Sequence, residues 1–305
     1  MEVKNKKFLV TGGAGFIGSN MVNSLISKGA DVVVIDNLST GRKQNLNPKA
    51  KFYEINIADQ KIQSIFEKEK PEFIYHFAFN VLVPQSVKNP LMDMDSIAGS
   101  LNILQNAKNY GVKKIIFSSS GFIYGNNSNL PVKESASFEP ASPYAVAKYT
   151  VENYLKFFKR AYNLSCVIFR YSAVYGPGQI TGAMADYIRK LSSDKQAEIY
   201  GDGMKTRDYV YIDDVVRANL LALDLSDNYQ CPVFNISTGV ETTLNDLYKN
   251  IADLLNKEAQ PIYLGDRPGE QIRYSLDYSK IEDVLGWQPK INLSMGLKLI
   301  LESRI

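Results

Sequence analysis

The chain of 305 residues is poor in the side chains that bind metals and form disulfides, with 1 histidine and 2 cysteines. Cys166 and Cys231 follow no Cys-x-x-Cys pattern, so we expect no metal site and two reduced packing residues. The sequence also lacks any apolar run of the roughly twenty residues that span a bilayer, and no signal-peptide pattern precedes the first predicted strand. We therefore expect a cytoplasmic protein without membrane association.

An excess of charge of one sign is also missing, because 35 Lys and Arg against 32 Asp and Glu give a net charge of +3. So small and dispersed a charge does not indicate binding to nucleic acid. Hydrophobic residues make up 45% of the chain, which is ordinary for a globular protein. The length exceeds that of a usual single core and predicts one large α/β unit with a smaller second one.

Glycines are concentrated directly after the first predicted strand, in Thr-Gly-Gly-Ala-Gly-Phe-Ile-Gly. In such a setting Gly12 permits the turn, Gly15 lets the backbone approach a pyrophosphate, and Gly18 lets the next helix pack closely on the strand. Asp36 ends a second β-branched strand, where a carboxylate accepts from ribose hydroxyls and repels a 2′-phosphate. An ordinary tight turn is the alternative, but strand, helix and acid together predict a site for NAD rather than NADP.

Strand-like and helix-like segments alternate through the first half of the chain. The predicted strands are Lys7–Thr11, Asp31–Ile35, Lys51–Glu54, Phe73–His76, Lys114–Ser118 and Cys166–Arg170. The predicted helices are Phe16–Lys28, Gln60–Lys70, Met94–Tyr110 and Tyr144–Tyr162, and a closing helix covers Leu293–Ile305. This alternation is typical of a Rossmann-type, doubly wound parallel sheet of the α/β class. We predict an NAD-binding domain over 1–172 and a smaller α/β substrate domain over 173–305, with some of its segments returning to the first domain.

A serine, tyrosine and lysine pattern follows the fifth predicted strand. Ser120 ends a run of three serines, and Tyr144 and Lys148 are four residues apart, which places them on one helical face. An adjacent ammonium and a positive nicotinamide favour the phenolate of Tyr144, which can then remove a hydroxyl proton as hydride leaves the same carbon. Tyr-x-x-x-Lys alone also occurs by chance in many helices. His76, the only imidazole, is expected to be structural rather than an acid or base.

The joint order of these motifs resembles the extended short-chain dehydrogenase/reductases, specifically the nucleotide-sugar epimerases typified by UDP-glucose 4-epimerase. The resemblance covers nearly the whole chain and is carried by Thr11–Gly18, Ile35–Leu38, Phe117–Ser120 with Tyr124-Gly125, Pro143–Lys148, Phe169–Tyr171 with Val174–Pro177, Tyr200–Gly203 with Arg207–Tyr209, and Arg267–Glu270 with Leu285–Trp287. It implies an NAD-dependent enzyme that epimerises a nucleotide-diphosphate sugar, with UDP-sugars favoured, at C4 through a transient 4-keto intermediate.

The resemblance also implies roles for individual residues. The residues implied to bind NAD are Gly12, Gly15, Phe16, Ile17, Gly18, Asp36, Asn37, Ser39, Thr40, Gly41, Asn56, Ile57, Phe77, Ala78, Phe79, Ser118, Tyr144, Lys148 and Tyr171. Ser120 and Tyr144 are implied to act on the sugar 4-hydroxyl, and Arg207 and Arg267 to bind the diphosphate. Tyr274 falls at a gate beside the sugar. We also expect a homodimer through a four-helix contact of Met94–Tyr110 and Tyr144–Tyr162.

Departures from the family pattern restrict the reaction. Gly121-Phe122 stand where the sugar 4,6-dehydratases and UDP-glucuronate decarboxylases carry acidic residues, which argues for epimerisation. Phe79 replaces the second alanine of the usual His-x-Ala-Ala, and Ala173 replaces an asparagine that touches the substrate's phosphate in epimerases. Two other functions stay open: a nucleotide-sugar 4-ketoreductase or dehydrogenase with exchangeable NAD(H), and a non-catalytic NAD-sensing or RNA-binding relative. The intact Tyr144 and Lys148 count against the latter.

Overall fold

The computed structural model describes residues 2–258, 260–267 and 271–303. Its strands are β1 (Lys7–Thr11), β2 (Asp31–Asp36), β3 (Lys51–Glu54), β4 (Phe73–His76), β5 (Lys114–Ser120), β6 (Ser165–Tyr171), β7 (Ala173–Tyr175), β8 (Glu198–Tyr200), β9 (Thr206–Arg207), β10 (Tyr209–Tyr211), β11 (Val233–Ile236), β12 (Thr242–Thr243) and β13 (Ile262–Leu264). Its α-helices are α1 (Phe16–Ser27), α2 (Ile62–Glu69), α3 (Val83–Lys88), α4 (Met92–Asn109), α5 (Pro143–Tyr162), α6 (Ala183–Leu191), α7 (Ile212–Leu221), α8 (Leu244–Leu254), α9 (Ser279–Leu285) and α10 (Leu293–Glu302). Among the helices of these described ranges, none has both the length and the apolarity to cross a bilayer.

Seven of these strands, all from the described ranges, form one sheet in the order β11-β6-β5-β4-β1-β2-β3. Strand β1 pairs in parallel with both β2 and β4, and the β2·β3 and β4·β5 pairs are parallel as well. Strands β2 and β3 lie on one side of β1, and β4, β5, β6 and β11 follow one another on its other side. This order confirms the predicted doubly wound, Rossmann-type α/β fold. In such sheets, ligands bind beyond the carboxyl ends of the strands where the order reverses.

The central strands are buried because apolar side chains cover both faces of the sheet. Every residue of β5 and of β6 is buried. On one side, Ile103 and Leu104 of α4 and Val151 and Leu155 of α5 belong to the core that covers the sheet. Continuous apolar strands buried on both faces are what a parallel sheet requires.

The predicted elements differ from the structure mainly at their ends. Helix α4 begins two residues before the prediction, and β5 extends two residues beyond it to include Ser120. Helix α3 and strand β11 had no counterpart in the prediction. The predicted closing helix is present as α10, and residues 304 and 305 of that prediction lie outside the described residues.

The chain divides into two compact units. The first comprises Met1–Ile123, Ser142–Arg170 and Val216–Phe234, and the second comprises Tyr124–Ala141, Tyr171–Val215 and Asn235–Ile305. One change of unit, between Arg170 and Tyr171, lies next to the predicted boundary after residue 172, and segments cross in both directions elsewhere. The division into domains 1–172 and 173–305 stays a prediction.

The two cysteines correct one expectation. Cys166 on β6 and Cys231 just before β11 form a disulfide, with their Cα atoms 4.9 Å apart. The prediction of two reduced packing residues was therefore wrong. It failed because β6 and β11 are neighbours in the sheet, while the two cysteines are 65 residues apart in the sequence.

Candidate functional site

The glycine loop between β1 and α1 has the geometry of an anion site. Gly12 has φ of +71°, and a Cβ there would come within 2.7 Å of the backbone nitrogen of Ala78. A Cβ on Gly18 would overlap the carbonyl oxygen of Gly12, so the helix and the strand end are in direct backbone contact. Around Gly15, by contrast, the Gly12 oxygen, at 3.2 Å, is the only atom of the described chain that a Cβ would meet.

Helix α1 presents its N-terminus at this loop without a competing group. Gly15 is its N-cap, no side chain makes a capping hydrogen bond, and no acidic residue lies in the first turn, which includes the predicted Phe16 and Ile17. An uncapped helix N-terminus attracts anions through its N–H groups and the helix dipole. The open face of Gly15 and this helix end therefore fit the pyrophosphate of NAD.

Asp36 organises the loop that follows β2. Its carboxylate oxygens accept from the backbone N–H groups of Ala14, at 3.0 Å, and Leu38, at 2.8 Å. A carboxylate has about four acceptor sites, so these bonds are compatible with ribose binding. The Arg42 N–H donates to the Ala14 carbonyl, which brings the predicted Asn37, Ser39, Thr40 and Gly41 next to the glycine loop.

The remaining predicted cofactor residues of the first unit follow β3 and β4. The Asn56 side-chain oxygen accepts from the Ala58 N–H at 2.9 Å, which closes a turn around the buried Ile57. The Phe77 ring is buried against Tyr75, so the backbone rather than the ring of Phe77 is suited to contact a cofactor. The Ala78 N–H donates to the Thr11 hydroxyl at 3.2 Å.

The predicted catalytic residues are brought together by β5 and α5. Ser142 caps α5 by accepting from the Ala145 N–H, and Pro143 occupies the first turn, so Tyr144 projects from the very start of the helix. A side-chain hydrogen bond joins Ser120 and Tyr144. Lys148 is buried, and its Nζ donates to the Ser118 carbonyl at 2.5 Å.

Electrostatics at this cluster modify one expectation. Burial raises the pKa of Tyr144 to about 12, and Asp93 raises it as well, against the hydrogen bond of Ser120, which lowers it. Burial also lowers the pKa of the Lys148 ammonium to about 7, while Glu152 raises it. The phenolate expected from the sequence is therefore not the resting form of Tyr144 in the protein alone.

His76 is held in a structural position, as expected. Its ring nitrogens are 2.7 Å from the Thr11 hydroxyl and 2.9 Å from the Ser100 hydroxyl, and the ring is buried. Burial, together with the charge of Lys148, lowers the pKa of His76 to about 3, so the ring is neutral near pH 7. Within the described ranges, no group of three or more His, Cys, Asp or Glu side chains could hold a metal ion.

Two buried carboxylates near the catalytic residues were missed from the sequence. Asp93 on α4 accepts from the Asn80 amide at 2.9 Å and the Ser86 hydroxyl at 2.5 Å. Glu152 accepts from the Ser119 hydroxyl at 2.5 Å and from Arg170 at 2.7 Å. The spacing of Glu152, one helical turn beyond Lys148, was a signal in the sequence. The position of Asp93 near Tyr144 depends instead on the loop after β4.

The other predicted residues belong to the second unit. Arg207 donates to the carbonyl oxygens of Thr206 and Gln271, at 2.6 and 3.0 Å. Tyr274 is buried, and its hydroxyl donates to the Tyr171 carbonyl at 3.1 Å. The guanidinium carbon of Arg267 is 3.2 Å from the centre of the Tyr200 ring. The predicted motif that begins at Arg267 continues through residues 268–270, which lie outside the described residues.

Comparison with known proteins gives similarity over nearly the whole chain. The model of the NAD dependent epimerase/dehydratase family matches residues 8–237. A UDP-glucose 4-epimerase of Mycolicibacterium smegmatis is 36% identical over 305 residues, which cover 96% of this chain and 97% of that protein. The crystal structure of UDP-glucose 4-epimerase from Thermotoga maritima with UDP-glucose has a TM-score of 0.93 and 44% identity, and covers 97% of both chains. The UDP-glucose 4-epimerase of Thermus thermophilus in complex with NAD has a TM-score of 0.91 and 33% identity, over 97% of this chain and 98% of that one.

Proposed function

Since the chain belongs to the NAD dependent epimerase/dehydratase family, we propose that it inverts C4 of a UDP-hexose, with UDP-glucose and UDP-galactose as the substrate pair. The proposed reaction rests on the Ser120–Tyr144–Lys148 cluster together with a glycine loop that fits NAD. NAD, its cofactor, supplies the acceptor and donor of hydride at C4 when bound. The protein contributes orientation, proton transfer and electrostatics.

Tyr144 is the proton-transfer group of this proposal. As the phenolate, its oxygen takes the proton of the sugar 4-hydroxyl and later returns that proton to the opposite epimer, while Ser120 hydrogen-bonds the sugar oxygen. Because the pKa of Tyr144 is raised to about 12, proton removal depends on nearby positive charge. Lys148, whose Nζ is 5.9 Å from the centre of the Tyr144 ring, supplies such a charge from the protein.

A plain hexose is favoured over an N-acetylated one by the gate position. Tyr274 carries a large ring there, and its hydroxyl is bonded to the Tyr171 carbonyl within the same unit, which holds the ring in one place. A fixed, buried ring offers little space for the three additional heavy atoms of an acetyl group, since overpacking typically costs about 1 to 3 kcal/mol.

The proposed assembly is a homodimer through α4 and α5. Helix α5 leaves Val146, Tyr154, Phe157 and Tyr162 exposed, and Met94 is exposed on the adjacent α4, each at between 38 and 57%. Val146, Tyr154 and Phe157 are separated by steps of eight and three residues, which places them along one stripe of the helix. An exposed apolar stripe of this kind is typical of a protein interface.

The proposed function is tested by incubating the purified protein, without added cofactor, with UDP-, GDP-, CDP- and dTDP-sugars and separating the C4 epimers. We expect interconversion of UDP-glucose and UDP-galactose, and release of NAD(H) rather than NADP(H) on extraction. Tyr144→Phe should retain bound NAD and lose about 10²- to 10⁴-fold in rate, the usual contribution of acid–base catalysis. Tyr154→Phe, on the same helix, is the matched control and should keep wild-type activity.

The same incubation separates the proposal from its alternatives. A 4-ketoreductase or dehydrogenase would change the oxidation state of the sugar and consume added cofactor in proportion to product. A non-catalytic NAD-binding relative would release NAD on extraction but leave every sugar unchanged. Either result contradicts the proposed epimerisation.

A further inference from the structure

Phe79 places an aromatic ring against the catalytic lysine. The Lys148 Nζ is 3.9 Å from the centre of the Phe79 ring and 4.8 Å from that of Phe117. A cation within about 6 Å of a ring face is attracted by the negative charge of that face. The Phe79 ring also meets the ring of Tyr144 edge to face, at 6.0 Å between centres and 85° between planes.

Few full negative charges face this ammonium. Glu152, on the same helix, attracts it, but the Glu152 carboxylate also accepts twice from Arg170 of β6, at 3.0 and 2.7 Å. From β4, His76 is neutral near pH 7, and from α4 the charge of Asp93 acts on Tyr144.

The nearest polar partner of Lys148 is a neutral one. This is the Ser118 carbonyl of β5, which accepts from Nζ at 2.5 Å. An ammonium removed from water needs compensation for its lost hydration, and one carbonyl supplies only part of it. Among the described elements around Nζ, the two ring faces supply the rest of this compensation. Neither ring carries a negative charge of its own.

We propose that Phe79 is a positioning residue for the catalytic pair: the face of its ring stabilises the ionised form of Lys148, and its edge-to-face contact fixes the ring of Tyr144. Its value for epimerisation rests on the proposed function, because an ionised Lys148 there promotes proton removal by Tyr144. Its effect on the ammonium does not rest on that function and can be measured separately.

The ring face, and not the bulk of the side chain, is what the proposal requires. Phe79→Leu keeps a similar apolar volume but removes the aromatic face, so the pKa of Lys148 should fall by about 0.5 to 1.5 units. Phe79→Tyr keeps the face and should retain the wild-type pKa. Phe52→Leu, which shortens a half-buried phenylalanine on β3, is the matched control and should leave the pKa of Lys148 unchanged.

The experiment is an NMR titration of the purified enzyme labelled with [¹³C]lysine, with the Lys148 signal assigned by its loss in Lys148→Met. A wild-type pKa in Phe79→Leu, or an equal fall in Phe79→Leu and Phe79→Tyr, would overturn the proposal. If Phe79→Leu does not yield folded protein by circular dichroism, Phe79→Met applies the same test.

Kinetics then connect the ring to the reaction. The alkaline limb of kcat against pH should move to lower pH in Phe79→Leu by the same amount as the pKa of Lys148, with Phe79→Tyr restoring it. A change in KM for the UDP-sugar without any movement of this limb would assign Phe79 a merely structural role and overturn the proposal. An inactive wild type would contradict the proposed function, while the titration would still decide the effect of the ring.

Discussion

Lys148 serves the proposed reaction, but the burial of its ammonium destabilises the fold. Its pKa is near 10.5 in an ordinary exposed setting and about 7 when buried here, so between these values the unfolded chain binds more protons than the folded one. Stability therefore rises with pH across that window, and the cost of the buried ammonium is fully present below pH 7.

Lys148→Met should remove that cost. An apolar side chain of similar size does not carry this cost, and linkage to the lowered pKa of Lys148 predicts a gain of about 1 to 4 kcal/mol below pH 7 that fades towards pH 10.5. Urea unfolding at pH 6.5, 8 and 9.5 measures it, with Lys68→Met on the exposed side of α2 as the control. A variant no more stable than wild type at pH 6.5 would contradict this prediction.

The gate residue Tyr274 gives a second prediction at this scale. Tyr274→Ser removes the ring and its bond to the Tyr171 carbonyl, so an N-acetyl group gains space. We expect wild type to prefer UDP-glucose over UDP-N-acetylglucosamine, and the variant to gain kcat/KM for the acetylated sugar. Equal wild-type kcat/KM on both sugars, or no gain in Tyr274→Ser, would rule out the gate.

Single residues were predictable where their partners are close in sequence. Tyr144 and Lys148 share a helical face, so their spacing, together with the glycine loop and the serine run before them, was enough to predict them as a pair. The contacts of Phe79 and Asp93 with this pair depend on the loop after β4 returning to α5, which no local pattern encodes. Their roles required the three-dimensional arrangement.

Among the elements, the β1–α1 junction tolerates no added side chain at Gly18. Gly18→Ala would place a Cβ against the Gly12 carbonyl, so the helix must shift away from the strand end and from the pyrophosphate position. We expect loss of copurifying NAD and a destabilisation of about 1 to 3 kcal/mol. Gly265→Ala, where the added Cβ would meet no atom of the described residues within 4 Å, is the control. Thermal unfolding and cofactor extraction check both variants, and wild-type values in Gly18→Ala would contradict the prediction.

A helix or strand could be predicted to the extent that the pattern that defines it lies within its own residues and their neighbours. Strands β1, β3 and β4 agree with the prediction at both ends, because each is a short run bounded by turn or charged residues. Strand β11 was missed since it follows a turn-rich stretch. It is a strand because it pairs with β6, a partner more than 60 residues earlier, and the same pairing brings Cys231 to Cys166.

At the scale of the whole molecule, the exposed stripe on α5 predicts the state of assembly. Light scattering at micromolar concentration should give twice the mass of the chain, because the stripe buries its apolar side chains against the same surface of a second copy. The double variant Tyr154→Glu with Phe157→Glu puts charges into that contact and should give a monomer that keeps its fold by circular dichroism. Tyr263→Glu, at a more exposed aromatic on β13, should stay dimeric. A monomeric wild type, or a double variant that is still dimeric, would show that this stripe is not the interface.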